Sequence, residues 1–153
     1  MIDSTGAPKV IEFNVRFGDP ETQPIMQRLR SDFAELIEAG LDGRLDRVGA
    51  EWDPRPSLGV VIAAQGYPGK PKSGDVISGL ESDLDAGVKV FHAGTKLDGD
   101  GNAITAGGRV LCVCALGNDL PQARDHAYAA VARIRFDGAF YRRDIGHRAL
   151  ARP

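Results

Sequence analysis

The tightest limit on what this chain can fold into is set by residues 10–17, VIEFNVRF, in which apolar and polar side chains alternate from Ile11 onward. In an extended strand that alternation turns Ile11, Phe13, Val15 and Phe17 to one face and Glu12, Asn14 and Arg16 to the other. The apolar face demands a core, whereas the polar face has two readings. It is the solvated side of an antiparallel strand, the commonest pattern of this kind, or it is a site. The Glu12 carboxylate and the Asn14 amide oxygen are hard donors that suit magnesium, which shares its shell with water and phosphate. Arg16, on the same face, carries a fork of donors fitted to a phosphate or a carboxylate. The residues after Phe17 favour a site. Gly18 breaks the strand, and Asp19-Pro20-Glu21 reads as a helix entry, with Asp19 placed to cap and Pro20 at the first helical position. Amides exposed at such an end attract anions.

Residues 1–9 read as a turn feeding this strand, and a buried strand so early needs partners from later in the chain or from another molecule. Ile25, Leu29, Phe33, Leu36 and Ile37 recur at helical spacing, with Gly40 as the stop. They predict one amphipathic helix whose solvated side carries Arg28, Arg30, Asp32, Glu35 and Glu38. Residues 40–56, rich in Gly, Asp, Arg and Pro, mark a boundary between a first unit over 1–50 and a second over 51–153. Trp52 reads as a packing anchor between the two units.

In the second unit, residues 58–64 are a continuous apolar run expected as a buried strand. The glycine-rich stretch QGYPGKPKSGD at 65–75 either brings backbone amides, Lys70 and Lys72 toward a phosphate or is an ordinary exposed turn. It lacks the GxxxxGK[ST] order of a Walker loop. Residues 88–91 and 109–116 read as further strands, with a hairpin tip at Asp98-Gly-Asp-Gly-Asn102. That tip has no terminal glutamate, so it is expected as a turn and not a calcium loop. Ala123, Ala127, Val131 and Ile134 predict a helix over 121–135, started near Asn118 or Asp119 and covering the sheet. The expected class is α+β.

Composition narrows the functions open to such a chain. With 153 residues, 42% hydrophobic and 26% charged, it is globular and long enough for one good core or two small units. A net charge of −2 and a pI near 5.9 speak against an indiscriminate nucleic-acid or membrane-surface binder. No stretch reaches the roughly 20 apolar residues that span a bilayer, so the expected compartment is the cytoplasm. Cys112 and Cys114 sit two apart in an apolar run and are expected as buried, reduced thiols. His92, His126 and His147 are scattered, and no nucleophile motif accompanies them. The chemistry that remains is that of metal and phosphate.

Five motifs in order carry a more specific reading. EFNVRFGDPETQP at 12–24, QGYPGKPKSGD at 65–75, VFHAGT at 90–95, GGRVLCV at 107–113 and FYRRDIGHRAL at 140–150 resemble the C-terminal part of phosphoribosylamine-glycine ligase, or glycinamide ribonucleotide synthetase. The resemblance covers essentially the whole chain. It implies the terminal strand and helix of an ATP-grasp fold, followed by a small mixed β-sheet domain covered by a helix. The implied reaction joins glycine to 5-phosphoribosylamine with cleavage of ATP, through a glycyl phosphate, in purine biosynthesis. By motif, Glu12 and Asn14 correspond to ligands of magnesium or manganese at the ATP phosphates. Arg16 lies where its charge would offset that developing at the transferred phosphoryl. Asp19 and Glu21 fall near the glycine or phosphoribosylamine site, and the motifs at 66–69, 92–95 and 142–146 shape and support it. The same resemblance implies that the adenine-binding wall lies outside these residues. The chain alone is then expected to have little ligase activity unless a separate N-terminal ligase polypeptide supplies the rest. The competing expectation is a non-catalytic binding or assembly module.

Overall fold

The computed structural model describes residues 2, 4–11, 13, 15–81 and 84–151. Among these the elements are α1 (Thr22–Arg28), α2 (Phe33–Leu41), a 3-10 turn (Leu45–Arg47), β1 (Ser57–Ala63), β2 (Val88–His92), β3 (Thr95–Leu97), β4 (Ala103–Thr105), β5 (Arg109–Leu116), α3 (Leu120–Val131) and α4 (His147–Leu150). The fold is α+β, as the sequence suggested.

The sheet is antiparallel, in the order β1-β5-β2, and a separate hairpin pairs β3 with β4. Register decides what each face carries. Leu58, Val60 and Ile62 stand opposite Ala115, Val113 and Leu111, so all six side chains share one face. Val88 and Val90 join them from β2. Onto this face packs α3, whose Ala123, Ala127, Ala130 and Val131 are buried in the same cluster. Small residues let the helix backbone lie close to the strands. The helix begins where expected, with the Asp119 carboxylate accepting from the Gln122 amide at 2.8 Å. At the hairpin tip the Asp98 carboxylate accepts from the amides of Asp100 and Asn102, which makes it a turn.

The opposite sheet face carries Gly59, Val61, Cys112 and Cys114, and α1 lies on it. The two buried sulfurs are 3.7 Å apart and unbridged. Gly59 suits this face, since a Cβ there would stand 3.2–3.5 Å from both sulfurs and the Pro24 ring.

Three expectations for the first unit are corrected. The described residues of 10–17 lie in no strand, and their apolar side chains are exposed, Phe13 at 81% and Val15 at 90%. Alternation specifies a strand only where another strand accepts its ladder, and no strand among the described residues runs beside this one. The single helix after Pro24 is two helices. Asp32 caps α2 by accepting from the Ala34 amide at 2.8 Å. The intervening residues hydrogen-bond sideways, Arg30 N to Glu51 O at 2.9 Å and Asp53 N to Arg28 O at 2.7 Å. The helix entry also moves: α1 starts at Thr22 with Glu21 at its N-cap position, so Asp19 does not cap it and Pro20 is not its first residue.

Arg28 and Arg30, read as solvated, hold the buried Asp53 together with Arg55. Arg28 donates to the Asp53 carbonyl at 3.0 and 3.1 Å, and Arg30 donates to the carboxylate at 2.9 Å. Arg55 grips the same carboxylate through Nε at 3.0 Å and Nη2 at 2.8 Å. This hub fastens the end of α1 to the start of β1. Trp52, whose backbone bridges to Leu29, lies beside it with its side chain half-exposed.

Candidate functional site

The site is organised by an irregularity in β5. Ile62 pairs with Leu111 but Ala63 pairs with Arg109, so Val110 is the extra residue of a bulge. A bulge reverses the side-chain alternation beyond it. Without it Arg109 would point to the α3 face; with it, Arg109 turns to the α1 face and reaches Asp19. Its Nη1 donates to the Asp19 carbonyl at 3.0 Å and its Nη2 forms an ion pair with the carboxylate at 3.1 Å.

The residues expected to do chemistry fall as follows. Glu12 and Asn14 lie outside the described residues. Arg16 is exposed and donates to the Phe17 carbonyl at 3.1 Å. Asp19 is held by Arg109, and the Glu21 carboxylate folds back over Gly18. The Gly18 carbonyl accepts from the Thr22 amide at 3.0 Å, which tightens the turn between Gly18 and α1. Phe17 packs edge-on against Phe33 with ring centroids 5.4 Å apart, tying the segment to α2. Arg16, Asp19 and Glu21 are thus neighbours in one turn at the mouth of α1. Among the described residues, no group of three or more His, Cys, Asp or Glu side chains converges to hold a metal.

The downstream motifs meet at the same end of the sheet. Ala64 N donates to Gly108 O at 2.9 Å, and Gly94 N donates to Arg109 O at 2.8 Å. Ala63 and Phe140 exchange both backbone hydrogen bonds, at 2.8 and 3.1 Å. The ring of Tyr67 lies against Gly108, where any Cβ would overlap it. Together these contacts enclose a cavity of about 330 Å³ between Pro20, Val61, Tyr67, Arg109, Tyr141 and Arg142. Arg142 is held by Asp144 through Nε at 2.9 Å and Nη2 at 2.6 Å. That contact keeps the Asp144 carboxyl below the usual carboxylate range.

The lysines of the glycine-rich loop divide. Lys72 is paired with Asp75 at 2.8 Å and Asp137 at 2.6 Å, so it fastens the loop instead of waiting for a phosphate. Lys70 is exposed. His92 lies 3.0 Å from the Thr95 hydroxyl, and His147 2.8 Å from the Asp144 carbonyl. Both support loops. Arg109 and Tyr141 were not singled out by sequence reasoning, and Tyr67 only as part of the motif at 66–69. The signal available for Arg109 was the Gly107-Gly108 pair before it, since glycine at a strand end marks a bulge or a close backbone approach.

Comparison with known proteins places this geometry. The family model described as phosphoribosylglycinamide synthetase, C domain, matches residues 57–148. The chain belongs to this family. Over 152 residues it is 64% identical to the phosphoribosylamine-glycine ligase of Xylella fastidiosa strain 9a5c, covering 99% of this chain and 35% of that protein. The ligase of Vibrio cholerae serotype O1 is 60% identical over the same length, again with 35% of that protein covered. The crystal structure of the Thermotoga maritima ligase superposes with a TM-score of 0.75 at 35% identity, covering 95% of this chain and 35% of that one. The chain thus spans about a third of the length of the relatives it matches. The phosphoribosylglycinamide synthetase C domain supplies the sheet, α3 and the walls of the cavity apart from Pro20. The Asp19 turn, which Arg109 fastens to it, comes from the residues preceding the matched domain.

Proposed function

We propose that the chain works as the C-terminal part of an ATP-dependent ligase that joins glycine to 5-phosphoribosylamine, giving glycinamide ribonucleotide in purine biosynthesis. The observation that carries this reading is the 64% identity to the Xylella fastidiosa ligase across 152 residues, the first unit included. The proposed division falls at residue 50/51. It is supported by a core drawn almost wholly from Leu58 onward and by a family match that begins at residue 57. The rest of the ATP-grasp site is proposed to come from preceding sequence or from a separate N-terminal ligase polypeptide. The proposed compartment is the cytoplasm, and no helix among the described residues is long and apolar enough to cross a membrane.

In this reading Glu12 and Asn14 hold magnesium or manganese. A carboxylate and an amide oxygen two residues apart fit a hard cation whose remaining shell is water and phosphate. The bound ion would neutralise charge on the ATP phosphates. Arg16, which is exposed, offers its guanidinium to the phosphoryl group in transfer. Asp19 and Glu21 line the amino-acid or amine side of the site. Arg109 is a positioning residue: it reaches no reactant, but it fixes the turn on which Asp19 and Glu21 sit. The phosphoryl group passes from ATP to the glycine carboxylate, the amine attacks the acyl carbon, and phosphate leaves.

The second reading, a non-catalytic binding or assembly module, draws on the exposed apolar side chains of residues 10–17, which suit contact with another polypeptide surface. Product formation separates the two. The chain is assayed with ATP, glycine and 5-phosphoribosylamine, alone and with a polypeptide carrying the N-terminal two-thirds of the ligase. Product from the pair and not from the chain alone is the expected result. Product from the chain alone, or none from a folded and associated pair, would overturn the reading.

A further inference from the structure

The cavity beside the Asp19 turn takes its walls from stretches of chain far apart in sequence. Tyr67 and Pro68 come from the glycine-rich loop, and Phe140, Tyr141 and Ile145 come from the segment after α3. Each stretch is tied to the sheet where it leaves it, Ala64 N to Gly108 O at 2.9 Å and Phe140 N to Ala63 O at 3.1 Å. Beyond those ties neither wall lies in a strand, so the sheet alone does not set the spacing between them.

Lys72, which is not part of the lining, joins the two walls from outside. Its amide closes the loop onto the Gln65 carbonyl at 2.8 Å. Its ammonium lies 2.8 Å from the Asp75 carboxylate at the end of the loop and 2.6 Å from that of Asp137, just before Phe140. Among the described residues no other ion pair runs between residues 65–75 and 136–146. The two carboxylates differ. The Asp75 side chain is only 15% exposed and its Oδ2 has no hydrogen-bond partner among the described residues, so Lys72 is the counter-charge that this group depends on. Asp137 is exposed, and its tie to Lys72 is the weaker and more separable of the two. Asp137 and then Asp75 push the Lys72 ammonium up, and Lys72 holds the Asp137 carboxyl below the usual carboxylate range, so the clamp stays charged through neutral pH.

We propose that Lys72 is a positioning residue for the ligase: by holding Asp75 and Asp137 together it fixes the spacing of the Tyr67 and Tyr141 walls, and with it the fit of the amino-acid or amine substrate beside the Asp19 turn. The inference rests on the ligase reading. The ATP phosphates are assigned to Glu12, Asn14 and Arg16, so the clamp acts on the KM of the other two substrates and not on that of ATP. The test uses the chain assembled with the N-terminal two-thirds of the ligase, and the chain alone. Asp137→Asn cuts the tie at an exposed position and leaves Lys72 on Asp75. It is expected to raise the KM of glycine or of 5-phosphoribosylamine about threefold to fivefold, the scale of an exposed ion pair, with kcat and the KM of ATP within about twofold of the parent. Lys72→Met should raise that KM at least as far, and adding Asp137→Asn to it should raise it no further. Lys72→Arg, which keeps a cation between the carboxylates, should restore the parent KM. In the chain alone, Asp137→Asn should quicken amide exchange at Lys72 and Phe140 and leave Thr22 unchanged. No product from the parent assembly removes the ligase reading and this inference with it. Where the parent turns over, the inference alone is overturned by an Asp137→Asn assembly with the parent KM, a change confined to kcat or to ATP, an additive double variant, or unchanged exchange at Lys72 and Phe140.

Discussion

Arg109 holds Asp19 at two points, its Nη1 on the carbonyl at 3.0 Å and its Nη2 on the carboxylate at 3.1 Å, across 90 residues of sequence. The pair stands half-exposed, at 39% and 51%, so its direct contribution to global stability is at most about 1 kcal/mol. Its effect is local. Arg109→Gln is expected to leave the denaturant midpoint nearly unchanged while amide exchange quickens at Thr22, whose N–H closes the turn onto Gly18. Equal exchange at Thr22 in the parent and the variant would show that Arg109 does not fasten the turn.

A second prediction concerns acid. Hydrogen bonds from Arg55 and then Arg30 hold the Asp53 carboxyl well below the usual carboxylate range. A depressed folded pKa contributes stability that is present above the unfolded value, about 4, and is lost as pH falls toward the lower folded value. Asp98, Asp137 and Asp144 are shifted in the same direction by Asn102, Lys72 and Arg142. The urea midpoint is therefore expected to be level above about pH 5 and to fall below about pH 4. Asp53→Asn should make that fall shallower, and an unchanged descent would remove Asp53 from the account.

Cys112 and Cys114 give a third. Both are buried with sulfurs 3.7 Å apart, and contact with Cys112 together with burial pushes the Cys114 thiol up. Both sulfurs are shut away from solvent, so neither should react with a thiol reagent in the folded chain, and both should react in guanidinium. Fast native labelling of either would mean that α1 does not stay seated on this face.

The fourth concerns the floor of the cavity. Gly108→Ala places a methyl group into the Tyr67 ring and is expected to cost about 1–3 kcal/mol of unfolding free energy. The aromatic side-chain signals of Tyr67 should shift as the ring is displaced. A neutral substitution would show that Tyr67 is not braced there.

The C-terminal unit was legible because its signals are local. Apolar runs gave β1 and β5 within a residue, and Asp119 with Pro121 marked the start of α3. The first unit was not, because its signals depend on partners. Residues 10–17 alternate as a strand does, yet a ladder needs a neighbour. Asp32 looked like one more charge on a helix and instead begins a new one. Arg28 and Arg30 looked solvated because Asp53, whose carbonyl and carboxylate they hold, lies more than 20 residues away. Arg109 was hidden by one extra residue: counting by twos through β5 puts it in the core, and the bulge at Val110 puts it on the site.

The most direct measurement is the turnover of the chain assembled with the N-terminal two-thirds of the ligase, comparing the parent with Glu12→Ala. If Glu12 holds the metal at the ATP phosphates, glycinamide ribonucleotide forms with the parent, and the variant loses at least about 100-fold in kcat. A Glu12→Ala assembly that turns over at the parent rate would contradict the account.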